Sequence, residues 1–377
     1  METGILDEYE LRLNKLRRLI ENKELDAALI TSTDSIFYLT GFRYQPFERP
    51  FFLVVRPEGD LVFVTPRLEA ENVAAIPLLH RILEYTEYPA PKGETFLDAL
   101  AQVIGEHDVI AVEPSMPAEL MRALEHFFPM VEPLVERLRL VKSPYEISRI
   151  ERAARFCDLG LRMVMDAARI GTSIQGGYDR IPELRNAIVE GEGKFDQHTS
   201  SIWLGVWAAP FSAQPHRFPE PTDIFGEGPN VGLSFLRVNG YSAETERTFF
   251  LHRTSGDQAA VFATMLAARN IAYDMLRPGV SAHEVDHKVM SFLRSEGFGG
   301  NLLHRTGHGI GMAGHEGPWL AEGSDDILQE NMLISVEPGI YWHGQGGYRH
   351  SDTVLITADG YRKLTDFPSD LDSMTLV

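Results

Sequence analysis

Ser143-Pro144-Tyr145-Glu146 constrains the fold more than any other stretch, because it combines an N-cap, a first-turn proline and the third-position glutamate of a capping box. Ile147, Ile150, Ala154, Cys157, Leu161 and Val164 follow at helical spacing, so a long amphipathic helix begins there. Before that helix, helical and extended patterns alternate. A charged helix over 7–23 puts Leu11, Leu13, Leu16, Leu19 and Ile20 on one face, and apolar runs at 27–31, 36–40, 51–55 and 61–65 read as strands. Pro57-Glu58-Gly59-Asp60 is hairpin-turn chemistry between the last two runs, and a helix and then a strand fill roughly 94–114. Beyond the helix the character changes. Residues 209–222 carry four prolines and must be loop, extended patterns occupy 231–237 and 241–251, and helical ones about 256–275 and 281–296. Gly-rich strands and turns finish the chain at 305–312, 331–341 and 345–357. With 377 residues against ~150 for a typical domain, two domains are expected: α/β over 1–135 and α+β over 136–377.

Lys plus Arg number 35 and Asp plus Glu 54, a formal charge of −19. So acidic a surface repels phosphate backbones and anionic lipid, which argues against nucleic acid and membrane as partners. One cysteine, Cys157, allows neither an intramolecular disulfide nor a cysteine zinc site, and its place in the apolar stripe makes it a core residue. The opening Met-Glu-Thr-Gly-Ile-Leu-Asp-Glu lacks the basic start and apolar run of a secretory leader, so a cytoplasmic location is expected.

Four segments in the second domain carry chemistry. They are Pro215-His216 in the proline-rich loop; Gly240-Tyr-Ser-Ala-Glu244-Thr-Glu246-Arg247-Thr248; Thr306-Gly-His308-Gly-Ile-Gly311 with His315-Glu316; and Ser335-Val-Glu337-Pro-Gly with Arg349-His350-Ser351-Asp352. Singly, each has a bland explanation: an exposed loop histidine, a solvated strand edge, a turn that needs positive φ, a strand end. Their joint order and spacing do not.

In that order the segments resemble the pita-bread superfamily of creatinase, prolidase, aminopeptidase P and methionine aminopeptidase. Lys142-Ser-Pro-Tyr-Glu-Ile147 and the N-terminal α/β domain are similar to the two-domain creatinase/prolidase branch. The resemblance implies a pita-bread C-terminal domain of two pseudo-symmetric α/β halves, with the active site between curved sheets. It also implies a homodimer. The peptidases of this superfamily hold two metal ions with Asp, Asp, His, Glu and Glu. By that pattern the first Asp falls on Leu233, the second on Glu244, the His on His308, the first Glu on Glu337 and the last on Ser351. Leucine has no lone pair to offer and serine is a poor neutral substitute, so a dimetal centre is not expected.

The remaining pattern is similar to creatinase, the metal-free member, which has Glu-Arg-Thr where the peptidases have Thr-Arg-Thr; here it is Glu246-Arg247-Thr248. His216, thirty residues before Glu246, matches its catalytic histidine, and Phe47-Glu48-Arg49-Pro50 its Phe-x-Arg-Pro, whose arginine grips the carboxylate of a substrate in the neighbouring subunit. The expectation is therefore a metal-independent, cofactor-free hydrolase of a C–N bond in a small cationic or zwitterionic, guanidino-type substrate. His216 would shuttle the proton, Glu246 and Glu337 would grip the cation, and His308 would hold the water or the tetrahedral intermediate. Phe47, Arg49, Glu244, His315 and Arg349 would complete the substrate site, Arg49 acting across the dimer. Two alternatives remain open: a metal-dependent Xaa-Pro dipeptidase or aminopeptidase with an altered ligand set and one or two Mn, Zn or Co ions, and a non-catalytic binding module.

Overall fold

The computed structural model describes residues 4–377; Met1, Glu2 and Thr3 of the opening discussed above lie outside the described residues. The chain forms two compact units, residues 1–139 and 140–377. The expected division at 135/136 falls inside the helix Leu134–Leu140.

The N-terminal unit is built on six strands, β1 (Ala27–Ile30), β2 (Phe52–Val55), β3 (Val62–Pro66), β4 (Arg81–Tyr85), β5 (Ile110–Val112) and β6 (Met130–Val131), in the order β4-β3-β2-β1-β5-β6. Pairing is antiparallel for β1–β2 and β2–β3 and parallel elsewhere, so the sheet is mixed. The turn at 57–60 joins β2 to β3, with Gly59 at φ +88°. One expectation fails here. Residues 36–40 are helical, within Thr33–Thr40, because the Ser32 hydroxyl accepts from the Ser35 amide at one end and Gly41 supplies a left-handed cap (φ +73°) at the other.

The C-terminal unit opens with the helix Pro144–Ala167, whose capping box forms between Ser143 and Glu146. Its strands are β7 (Ser201–Trp207), β8 (Asn230–Val238), β9 (Tyr241–Leu251), β10 (Gly307–Gly309), β11 (Glu316–Leu320), β12 (Leu333–Val336), β13 (Gly339–Trp342), β14 (Gly346–Arg349), β15 (Ser351–Thr357), β16 (Gly360–Lys363) and β17 (Thr375–Leu376). One sheet runs β11-β10-β12-β15-β9-β8-β7, with β16 on β15 and β17 on β9, while β13 and β14 form a separate hairpin. Asn239 and Gly240, both at positive φ (48° and 106°), make the two-residue turn between β8 and β9, a geometry that matches strand twist.

Strand alternation then assigns the faces. On β8, Gly232 and Ser234 face the opening helix, which approaches closely because Gly160 has no side chain: a Cβ there would stand 2.5 Å from Ser234 Oγ and 2.8 Å from a Leu184 methyl. Cys157 is fully buried on the same helix, as expected, its thiol donating to the Ala243 carbonyl at 3.1 Å. The opposite face of the sheet carries the polar residues of interest. Among the described residues no helix is long and apolar enough to cross a membrane.

Candidate active site

The face away from the helix changes in character along the sheet. At the β7–β8 end it is apolar: Trp203 and Trp207 of β7 stand opposite Phe235 and Val231 of β8, with Leu233 between. On β9 the same face carries Glu244 and Glu246, whose register partners on β8 are Phe235 and Leu233. His308 of β10, Glu337 just after β12, and His315 close the other side. Glu244, Glu246, His315 and Glu337 line a cavity of about 470 Å³ that also receives His216, His304, Arg305 and Arg349, with His308 buried behind its wall.

Glu244 is 5% exposed and His308 fully buried. Thr353 frames the glutamate, its hydroxyl bonding Glu244 N and O at 2.9 Å each, and the Ser335 hydroxyl donates to the carboxylate. His308 Nδ1 donates to the Gly309 carbonyl at 2.9 Å, which leaves Nε2 as the lone-pair nitrogen. That nitrogen lies 3.3 Å from Glu337 Oε1 and 3.7 Å from Glu244 Oε1 but aligns in a hydrogen bond with neither. The His315 ring stacks obliquely on it, centroids 4.0 Å apart. Donor atoms of Glu244, His308 and His315 all lie within 4.8 Å of one another. With His308 neutral, three acceptors converge here without a donor, a set that either a proton on His308 or a bound cation satisfies. Burial pushes the His308 imidazole towards neutrality, and Glu337 and Glu244 more than offset this, so its pKa is raised. His315 is driven down to about 4 by burial and by His308, which keeps it a neutral ligand at pH 7. These residues fit a single divalent ion of the Mn, Co or Zn class, with imidazole and carboxylate donors.

The neighbouring carboxylate is committed differently. Glu246 is 1% exposed and Arg349 6%, and Nε and Nη2 of the arginine meet the two carboxylate oxygens in a bidentate pair. Arg349 Nη1 donates to Tyr341 Oη at 3.0 Å, and that hydroxyl lies 2.7 Å from His304 Nε2. Burial pushes Glu246 up to about 7, with the guanidinium pulling the other way. The expected acidic clamp for an organic cation is therefore already filled by the chain's own guanidinium.

The next residues turn away. Arg247, Asp352, Arg269 and Tyr273 form a buried network on the opposite face, with Arg247 Nη2 to Asp352 Oδ1 at 2.9 Å and Tyr273 Oη to Asp352 Oδ2 at 2.9 Å. His350 is fully buried against Phe262 there and lies outside the cavity.

Of the expected site residues, the cavity brings together His216, Glu244, Glu246, His315, Glu337 and Arg349, and His308 is buried directly behind its wall against Glu337 and His315. Phe47 and Arg49 do not line it. Phe47 is 74% exposed in the N-terminal unit, and Arg49 pairs with Glu87 and, at 3.3 Å, with Glu48 of its own chain. Phe51 and Phe52 of the same stretch are core residues. Sequence reasoning missed Trp203, Trp207, His304, Arg305 and Tyr341. Trp203 and Trp207 are four apart on one strand face, a signal that was available but lay in an unassigned segment.

Two units of this form, an α/β domain followed by a curved-sheet domain with a His/Glu cavity, define a pita-bread hydrolase of the two-domain creatinase/prolidase type. The chain belongs to metallopeptidase family M24: residues 148–358 match that family's profile, and residues 12–141 match the Creatinase/Prolidase N-terminal domain. It is 30% identical to a Bacillus subtilis protein designated a candidate dipeptidase, YkvY, over 96% of this chain and 99% of the relative. A prolidase from Thermococcus sibiricus superposes with a TM-score of 0.84 at 25% identity, covering 98% of this chain and 99% of that one. The dipeptidase PepE from Mycobacterium ulcerans gives 0.84 at 26% identity, covering 98% of each chain.

These findings overturn two expectations, the metal-independent hydrolase of a guanidino substrate and the absence of a cofactor. The relatives are named as dipeptidases and a prolidase, and the glutamate assigned to gripping the substrate is occupied by Arg349.

Proposed function

We propose that this protein is a metal-dependent peptidase of short peptides, with Xaa-Pro dipeptides as its substrate class and an altered ligand set. What carries the proposal is the convergence of Glu244, His308 and His315 within 4.8 Å in a cavity of an M24 chain. Glu337, 3.3 Å from His308, stands beside them. When bound, a divalent ion here supplies Lewis-acid polarisation of the scissile carbonyl and a more acidic water.

The chain's own groups do the rest. Glu337 accepts the proton of the attacking water, a role worth about 10²–10⁴-fold. His216, exposed at the loop that meets the cavity, donates to the departing nitrogen, which leaves as a secondary amine when the second residue is proline. Trp203, Trp207 and Phe235 give an apolar wall for the substrate's side chain or ring. Arg305 faces the cavity with its guanidinium over the Trp319 ring at 4.5 Å, and it forms no ion pair among the described residues. It is suited to the free C-terminal carboxylate, which favours dipeptides over longer chains.

Purified protein, stripped and then reconstituted with Mn, Co or Zn, should cleave Xaa-Pro dipeptides faster than Xaa-Ala dipeptides or Xaa-Pro amides. A chelator should abolish cleavage, as should Glu244→Gln. No hydrolysis with any of the three metals sinks the proposal.

A further inference from the structure

The two positions where the family resemblance implies a carboxylate ligand and this chain has none are not scattered. Leu233 on β8 and Ser351 on β15 are the direct register partners of one residue, Glu246 on β9, from either side. Between the two positions where carboxylates are missing, the chain has therefore placed a carboxylate of its own, with a guanidinium already bound to both its oxygens. Leu233 is an apolar cavity wall, and the Ser351 hydroxyl is buried with no hydrogen-bond partner.

We propose that this chain binds one divalent ion, at Glu244, His308 and His315, and that the Arg349 guanidinium takes the place of a second ion on Glu246.

Charge balance favours this strongly. The cavity holds two buried carboxylates, Glu244 and Glu246, a third that is 15% exposed, Glu337, and one buried guanidinium, Arg349. One divalent ion brings their sum to zero with the histidines neutral. A second would leave two positive charges uncompensated in a site where burying a charge without a partner costs several kcal/mol. It would also have to share Glu246 with Arg349, which already takes one lone pair from each carboxylate oxygen and repels a second cation there. A lone guanidinium is a poor Lewis acid but a good fixed charge, and Tyr341 holds it in place at 3.0 Å.

The inference deepens the peptidase proposal but is tested without substrate. Metal-free protein is dialysed against excess Mn(II), passed through a desalting column and assayed for metal per chain by mass spectrometry, with the electron paramagnetic resonance spectrum recorded alongside. One ion per chain and an uncoupled six-line spectrum are expected. Two ions per chain with an exchange-coupled spectrum would overturn the proposal, and so would none. The double variant Leu233→Asp/Ser351→Glu supplies two carboxylates beside Glu246 and the two negative charges a second ion needs, so its stoichiometry should rise to two. A folded double variant that still holds one ion overturns the assignment of Leu233 and Ser351 as the vacated positions. One ion bound with no dipeptide cleaved would sink the peptidase proposal and leave this one standing.

Discussion

Replacing Arg349 with Met keeps much of the side chain's length and removes its charge. Glu246, 1% exposed, is then left without a cation and must stay a desolvated carboxylate or take up a proton, so the cost is read at pH 8 or above, and the bond from Nη1 to Tyr341 is lost as well. Removing one partner of a buried ion pair costs about 3–5 kcal/mol, because the survivor stays desolvated and unpaired. Against a domain stability of about 5–15 kcal/mol, that is a large fraction. Glu246→Leu alone strands the guanidinium and should cost a similar amount. The two together leave no charge behind, and an apolar pair there would extend the wall made by Leu233 and Val231. The double variant should therefore lie within about 1 kcal/mol of the wild type, a coupling of about 5 kcal/mol or more. All four tryptophans, Trp203, Trp207, Trp319 and Trp342, belong to residues 140–377, so tryptophan fluorescence during urea unfolding reports that unit. The measurement belongs in chelator, where metal binding cannot add its own stabilisation. If Arg349→Met costs under about 1 kcal/mol, or the double variant costs the sum of the singles, the pair is not the buried, mutually dependent unit described here.

Three further outcomes follow from separate features. Arg305→Ala should raise KM for dipeptides by about 10–100-fold with little change in kcat, the loss expected for a charge-assisted bond, and should leave peptide amides unaffected. Equal losses on both substrates would remove Arg305 from carboxylate binding. Gly314→Ala would place its Cβ in the Phe235 ring, so the ring must swing into the cavity; a Gly-Pro to Phe-Pro activity ratio that does not rise would contradict this. Asp158, whose carboxyl burial pushes up to about 6, destabilises the fold when ionised, by about 3 kcal/mol at most. Stability should accordingly fall as pH rises from about 4 to about 6. Asp158→Asn, which keeps an acceptor for the Asp366 amide at 2.7 Å, should melt higher than wild type at pH 8 and level with it at pH 4; the same shift at both would refute the assignment.

Local signals were legible where they were self-contained. The Ser143–Glu146 capping box, the Asn239-Gly240 turn and the alternation of Glu244 with Glu246 each specify structure within a few residues, and the segments bearing His308 and Glu337 could be placed by order along the chain. What could not be read was who pairs with whom across the sheet. Glu246 and Arg349 are 103 residues apart, and each alone reads as a substrate contact, whereas in the fold they hold one another. The ligand role proposed for His315 is not legible for the same reason, since only the fold shows that its ring lies against His308. Residues 36–40 illustrate a different failure: an apolar run of that length is ambiguous by periodicity, and Ser32 and Gly41 decide it from outside the run.

Lys142, two residues before the opening helix of the C-terminal unit, is 3% exposed, and its ammonium lies 3.0 Å from Glu316 Oε1, one residue past His315. The same glutamate accepts from the Ala313 amide at 3.3 Å, so the bend that presents His315 is pinned from both ends. The M24 match begins at residue 148, yet the tether that aims one of the proposed ligands is fastened six residues upstream of it. An excised catalytic fragment cut at the family boundary would keep every candidate ligand and lose the anchor that points His315 at its neighbours.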